Sequence, residues 1–283
     1  MKTVLVTGGN GQLAKCINDS SIEYSNLNFI WTDLPEFDIA SKEQTTRFFQ
    51  NNKMDYCINC AAYTAVDRAE IENSMAHEVN AIGPQNLALA CKEYNVKLIH
   101  ISTDFVFDGE SSVPYSESDI TKPISTYGDS KLKGEKAIMD IFDDFYIIRT
   151  SWLYSEYGSN FFKTMLDFSN TKNEINIIFD QVGTPTYAGD LAKVVLKMIA
   201  DDSDQFGIYH FSNEGVASWY DFALAIFDEC RCEIKVNPIR TSEYPTLAKR
   251  PPYSVLDKTK FKKTFQIEIP NWRHSLKKVI EKG

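Results

Sequence analysis

The chain has 283 residues, 43% hydrophobic and 24% charged, which is the usage of a folded protein rather than a disordered one. A net charge of −9 argues against nucleic acid and anionic membrane surfaces as general partners. No apolar run reaches the roughly 18–20 residues of a membrane span, and the opening run Val4–Val6 is too short for a signal peptide.

In chain order, Thr3–Thr7 is predicted as a strand and Gln12–Ser20 as a helix, joined by Gly8-Gly9-Asn10-Gly11. Glycine lets a backbone approach a pyrophosphate, and the helix N-terminus beyond offers free N–H groups and a positive dipole end. Ala14 stands where a third glycine is expected and is small enough for close helix–strand packing. We therefore expect Gly8, Asn10, Gly11, Gln12 and Leu13 to bind a dinucleotide. Phe29–Thr32 is a second strand, and Asp33 after it suits the adenosine ribose hydroxyls. No Arg or Lys lies between Asp33 and Ala40, which leans toward NADH over NADPH on electrostatics alone.

Glu43–Asn52 reads as a helix and Tyr56–Ala62 as a strand. Cys57 and Cys60 fall in that strand on opposite faces, so they are expected to be buried thiols rather than a chelating pair. The six cysteines (Cys16, Cys57, Cys60, Cys91, Cys230, Cys232) have irregular spacing and suit a reducing cytoplasm. His77, His100, His210 and His274 lack ligand spacing, and no metal is expected. Glu72–Glu93 reads as one helix, Leu98–Ser102 as a strand, Thr126–Asp140 as a helix and Tyr146–Thr150 as a strand. This alternation predicts an α/β fold, a Rossmann-like doubly wound parallel sheet.

Tyr127 and Lys131 are i and i+4 on the helix and share a face. A neighbouring ammonium lowers a phenol's ordinary pKa of about 10 and suits it to acid–base work. Thr103, ending the preceding strand, supplies a second hydroxyl at the ligand crevice.

After Thr150 the alternation loosens. Glu174–Phe179 and Ile208–Phe211 are candidate strands, and Asp190–Ile199 and Trp219–Glu229 are amphipathic helices. From Asn237 onward, Pro238, Pro245, Pro251, Pro252 and Pro270 suggest loops and short helices. We expect a cofactor domain of 1–150 plus parts of 181–212. A smaller α+β substrate domain would take 151–180 and 213–283. Residues 240–283 hold 11 Lys+Arg against 4 Asp+Glu, so the acidity belongs to the front of the chain and a basic tail is positioned to meet an anionic ligand.

The glycine turn, Thr103 and Tyr127-x-x-x-Lys131 resemble the extended, nucleotide-sugar branch of the short-chain dehydrogenase/reductases. Ser102–Gly109, Tyr127–Glu135, Arg149–Tyr154, Asn160-Phe161, Asp180–Thr186, Trp219–Ala223 and Tyr244–Pro251 narrow the resemblance to the dTDP-4-dehydrorhamnose reductase family, nearly end to end. The resemblance implies reduction of the 4-keto group of dTDP-4-dehydro-L-rhamnose to dTDP-L-rhamnose by NADPH or NADH, with Thr103, Tyr127 and Lys131 catalytic. It implies that Ala61, Ala62, Tyr63, Asp38 and Ile39 line the cofactor. Thr64, Asp104, Phe105, Trp152 and Asn160 would face the sugar nucleotide, and Arg250 its diphosphate. Phe105 stands where many members carry tyrosine, so a hydrogen bond is lost there. The glutamate that sugar 4,6-dehydratases carry after Thr-Asp is absent. A reductase of another nucleotide sugar, and a non-catalytic subunit similar to the methionine adenosyltransferase beta subunit, stay open, as does a homodimer.

Overall fold

The structure is a computed structural model and describes residues 1–282. Six strands form one parallel sheet: β1 (Lys2–Thr7), β2 (Leu27–Thr32), β3 (Tyr56–Asn59), β4 (Lys97–Thr103), β5 (Phe145–Thr150) and β6 (Gly207–His210). Their order is β6-β5-β4-β3-β1-β2. β1 pairs with β2 on one side and β3 on the other, so the winding reverses between β1 and β3. Ligands of doubly wound sheets bind beyond the strands' carboxyl ends at such a reversal. Val4, Leu5 and Val6 are all fully buried although they alternate in direction, because both faces of the sheet are covered.

The longer helices are α1 (Gln12–Ser21), α2 (Lys42–Asn51), α3 (Gly83–Tyr94), α4 (Thr126–Ile141), α5 (Phe161–Thr171), α6 (Ala188–Asp201), α7 (Trp219–Cys230), α8 (Thr259–Phe265) and α9 (Trp272–Lys282). α1 and α6 cover one face, setting Ile17, Leu191 and Val195 against Val4, Val6 and Ile58. α2, α3 and α4 cover the other, with Phe49, Leu87 and Ile138 on Leu5, Cys57 and Leu98. A third cluster of Tyr154, Phe162, Ile177, Phe222, Ile226 and Trp272 joins α5, α7 and α9.

Several expectations change. The strand expected over Tyr56–Ala62 ends at Asn59, where the chain peels away toward the crevice and the Ala61 N–H bonds the Thr7 side chain. Cys60 therefore lies outside the strand, and the opposite-face argument does not apply to it. The single helix expected over Glu72–Glu93 is present as a continuous helical run from Asn73 to Tyr94, but its turn over Glu78–Ile82 is widened ahead of α3. Pro84 causes this, since it lacks an N–H and its ring crowds the carbonyl four residues back, that of Asn80. Glu174–Ile178 is a strand, but it pairs with Lys235–Ile239 outside the main sheet. Pro238 within that second strand is tolerated because a two-stranded pair is all edge. Ile208–Phe211 corresponds to β6 in the main sheet. α8, in the stretch expected in the substrate domain, packs Phe261 on Tyr209 and Phe211 of the first core.

Candidate active site

The glycine turn closes over the β1/β3 reversal. Gly8 has φ +65°, and a Cβ there would sit 2.7 Å from the Ala61 backbone, so the turn fits against the loop after β3 only as glycine. The Gly11 N–H bonds the Gly8 carbonyl at 2.9 Å, and the Gly9 N–H bonds that of Thr32 at 2.9 Å. Gly11 caps α1 without a side-chain acceptor, and the first turn holds no acidic residue, which leaves its N–H groups for an anion. Gln12 and Leu13 begin the helix, Leu13 inside the core and Gln12 reaching the Leu153 carbonyl at 3.3 Å. Asp33 accepts the N–H groups of Asn10 at 2.7 Å and Leu34 at 2.8 Å, so it braces the turn. These residues fit a dinucleotide cofactor.

Ala61, Ala62, Tyr63 and Thr64 form the facing loop. Asn80 holds it: the buried amide accepts the Tyr63 N–H and donates to the Tyr63 carbonyl, both at 2.9 Å, and donates to Ser130 on α4 at 3.0 Å. Asp38 is half-buried and ties its own turn by accepting the Ala40 N–H at 2.9 Å. Ile39 is buried against Gly83, so its side chain packs the core rather than facing an adenine.

Thr103 ends β4, and Tyr127 and Lys131 lie on the first two turns of α4, whose N-cap is Ser125. Gly128 permits the approach of helix to loop, because a Cβ there would come 2.2 Å from the Phe105 carbonyl oxygen. Phe105 meets the Tyr127 ring edge-on at 5.5 Å. The expected electrostatics of the pair need correction. Burial pushes the Tyr127 phenol up to about 12, with the Thr103 hydroxyl working the other way and Asp104 adding to the rise. Lys131 does not offset it. Its ammonium, brought down to about 8 by burial against the pull of Glu135, donates instead to the Ile101 carbonyl at 2.7 Å and lies 3.4 Å from His100 Nε2. Glu135 is itself engaged by Arg149 at 2.7 Å in a fully buried pair.

Trp152, at φ +45°, stacks on Trp219 with ring centroids 3.5 Å apart and planes within 5°, and Trp219 meets Phe161 at 4.7 Å. A non-glycine residue held in this region is strained and marks a site built around it. Trp219, Phe161, Phe168, Ile177, Tyr244 and Arg250 line a cavity of about 760 Å³. Beneath Trp152, Gly183 leaves room for the indole and for Ser254, whose hydroxyl neighbours Asp104. The cavity is thus linked to the end of β4. Arg250 is bound by Asp67, Nη2 to Oδ2 at 2.6 Å, and the same carboxylate accepts the Ala248 N–H at 3.0 Å. Arg250 is the basic tail's sole cation lining this cavity among the described residues; Lys258 and Lys262 pair with Glu214 elsewhere.

Asn160 has a structural task as well. It caps α5 through the Lys163 N–H at 3.0 Å and donates to Ser155, Tyr157 and Gln12, which leaves its amide occupied. Residue patterns alone had not singled out Asn80, Asp67 or Ser254. Asn80 and Asp67 lie in helical stretches whose partners are remote in sequence, and Ser254 sits among prolines with no local signal.

The family model described as RmlD substrate binding domain matches residues 1–283. The chain is 41% identical to a dTDP-4-dehydrorhamnose reductase of Aggregatibacter actinomycetemcomitans, over 99% of this chain and 98% of that one. A solved dTDP-4-dehydrorhamnose reductase of Clostridium acetobutylicum superposes with a TM-score of 0.95 at 42% identity, covering 99% of this chain and 98% of its own. Another, from Bacillus anthracis in complex with NADP, gives 0.95 at 36% identity, covering 100% and 99%. This chain belongs to the dTDP-4-dehydrorhamnose reductase family.

Proposed function

We propose that the protein reduces the 4-keto group of dTDP-4-dehydro-L-rhamnose to dTDP-L-rhamnose. The observation that carries this is Thr103, Tyr127 and Lys131 gathered beside the glycine turn at the sheet's reversal point, in a chain of this family. NADPH or NADH supplies the hydride when bound. The free backbone N–H groups of Gln12 and Leu13 at the start of α1 hold its pyrophosphate, and Asp33 its adenosine ribose. Thr103 and Tyr127 donate hydrogen bonds to the carbonyl oxygen as charge grows on it, and Tyr127 gives up its proton there. Lys131 holds the nicotinamide ribose hydroxyls. Trp152, Asp104, Phe105 and Thr64 face the sugar, and Arg250, held in place by Asp67, takes the diphosphate with its remaining N–H groups.

The division of labour follows the clusters. Residues 1–150 with parts of 181–212 carry the cofactor, and 151–180 with 213–283 carry the sugar nucleotide, except that α8 buttresses the cofactor side. A homodimer is supported by the exposed Met75, Ile82 and Leu89, which recur at equal spacing along one helical stretch. Among the described residues no helix is long and apolar enough to cross a membrane. Six free cysteines support a reducing cytoplasm as the compartment.

The test is substrate-dependent oxidation of NADPH or NADH, with the product identified by NMR. Protein that binds cofactor without turning over this substrate ends the reading. Comparing kcat/KM for the two cofactors tests the Asp33 argument separately, and a strong NADPH preference refutes it.

A further inference from the structure

Asp104 follows Thr103 directly and is 2% exposed. The Thr103 hydroxyl donates to its Oδ1 at 3.1 Å while accepting the Phe105 N–H at 3.2 Å. Oδ2 is buried with no hydrogen-bond partner. The groups facing this carboxyl are Thr103 at the end of β4, the Tyr127 phenol from α4 and the Ser254 hydroxyl from the C-terminal segment. Among the described residues no Lys, Arg or His pairs with this carboxyl: Lys131 is engaged by Ile101 and His100, and Arg149 by Glu135. An ionised carboxylate with an orphaned oxygen in such a place is costly, and a neutral acid much less so.

Thr103 has one hydroxyl hydrogen. While Asp104 is ionised that hydrogen belongs to the carboxylate, and Thr103 has none to offer a substrate oxygen. Once Asp104 is neutral the roles reverse: its O–H donates to Thr103 Oγ1, and the Thr103 hydrogen is free to turn outward.

We propose that Asp104 is the proton store of the reduction, acting as a neutral acid through the Thr103 hydroxyl. This deepens the reading of the protein as a carbonyl reductase and rests on it. Hydride adds to the carbonyl carbon, the Tyr127 O–H breaks, and its proton goes to the substrate oxygen. The phenolate left behind takes the Thr103 hydroxyl proton, and Thr103 Oγ1 takes that of Asp104. The carboxylate remaining on Asp104 is reprotonated from water as product leaves.

Burial holds the Asp104 carboxyl at about 6, with the Ser254 and Thr103 hydroxyls pulling the other way. The neutral form is full below that value and is lost as pH rises through it. The experiment measures kcat against pH for wild type, Asp104→Asn and Ser254→Ala, with a single-turnover measurement beside it. Wild-type kcat falls about tenfold per pH unit above Asp104's ionisation, before the separate loss of the Lys131 charge at higher pH. Asp104→Asn, which donates a hydrogen bond but gives up no proton, loses the first fall and turns over slowly. Its first turnover outruns its later ones, since Tyr127 starts with its proton. Ser254→Ala removes a neighbouring hydroxyl that favours the ionised form, so it moves the first fall to higher pH. The proposal is overturned if Asp104→Asn keeps that fall, if the variant changes KM alone, or if Ser254→Ala leaves the fall in place. A wild type without turnover would instead sink the reductase reading itself.

Discussion

Gly128→Ala sets helix propensity against tertiary fit. Within α4, alanine is favoured over glycine by about 1 kcal/mol. Yet a Cβ at this position would stand 2.2 Å from the Phe105 carbonyl oxygen, where an ordinary carbon–oxygen contact is about 3.3 Å or more. The neighbour is backbone, so no side chain can swing aside, and the start of α4 must withdraw by about 1 Å. That turn carries Tyr127, whose hydroxyl must stay beside Thr103. A displacement of this size costs about 100-fold in rate, or nearly 3 kcal/mol of transition-state stabilisation. Overpacking removes roughly 1–3 kcal/mol of stability, partly offset by the propensity gain, so Tm drops modestly. Cofactor affinity holds, because the glycine turn rests on β1 and the Ala61 loop. The assay pairs steady-state kcat/KM with a fluorescence titration of NADH. Wild-type kcat/KM in a folded Gly128→Ala protein refutes the argument.

Gly8→Ala should do the reverse, weakening NADH or NADPH binding through both positive φ and the clash with Ala61, whereas Gly158→Ala at φ +67° meets only Gln12 Cβ at 3.6 Å and should leave cofactor affinity alone. Equal affinities in a titration of the two variants would contradict this. Asn80→Ala releases the Tyr63 backbone and leaves buried polar groups unpaired, at about 1–3 kcal/mol, so denaturant midpoint and cofactor affinity fall together; a fall in neither overturns the assignment. Asp67→Asn should raise KM for the sugar nucleotide with kcat nearly intact, since it loosens Thr246–Arg250 rather than the reacting groups. Arg250 holds the Asp67 carboxyl below its ordinary range. Its contribution is therefore present above the unfolded pKa and lost as pH falls through the lower folded one, so the variant's KM defect should shrink in acid. At the other end, burial brings the Lys131 ammonium down to about 8, so its charge is present below that pH and kcat/KM should fall as pH rises through it. An alkaline profile flat to pH 9–10, the range of an ordinary lysine, would refute that.

Much of the site was legible because its signals are local. A strand running into glycines and then a helix names a phosphate cradle wherever it occurs, and the structure puts that turn at the sheet's reversal. Tyr127 and Lys131 share a helix face by periodicity alone. The gaps and errors share a cause as well. Asn160 carries a polar group suited to a sugar, but only the fold reveals that it also caps α5 and ties residues 155–157. Ile39 reads as a neighbour of the cofactor until Gly83 draws it into the core. The lowered Tyr127 pKa followed from spacing, yet burial outweighs an ammonium that points at Ile101.

From its sequence alone, the chain's alternation of apolar runs and helices determines a doubly wound parallel sheet, since hydrogen bonding and burial leave few other ways to cover both faces. The order of glycine turn, threonine and Tyr-x-x-x-Lys likewise determines the class of chemistry. Tertiary structure decided what depends on groups distant in the chain. It stacked Trp152 on Trp219, bound Arg250 to Asp67 across 183 positions, clamped Tyr63 with Asn80, and buried Asp104 with one carboxyl oxygen unpartnered. Each of these is set by who becomes a neighbour and how much water is left, and neither is written in local spacing.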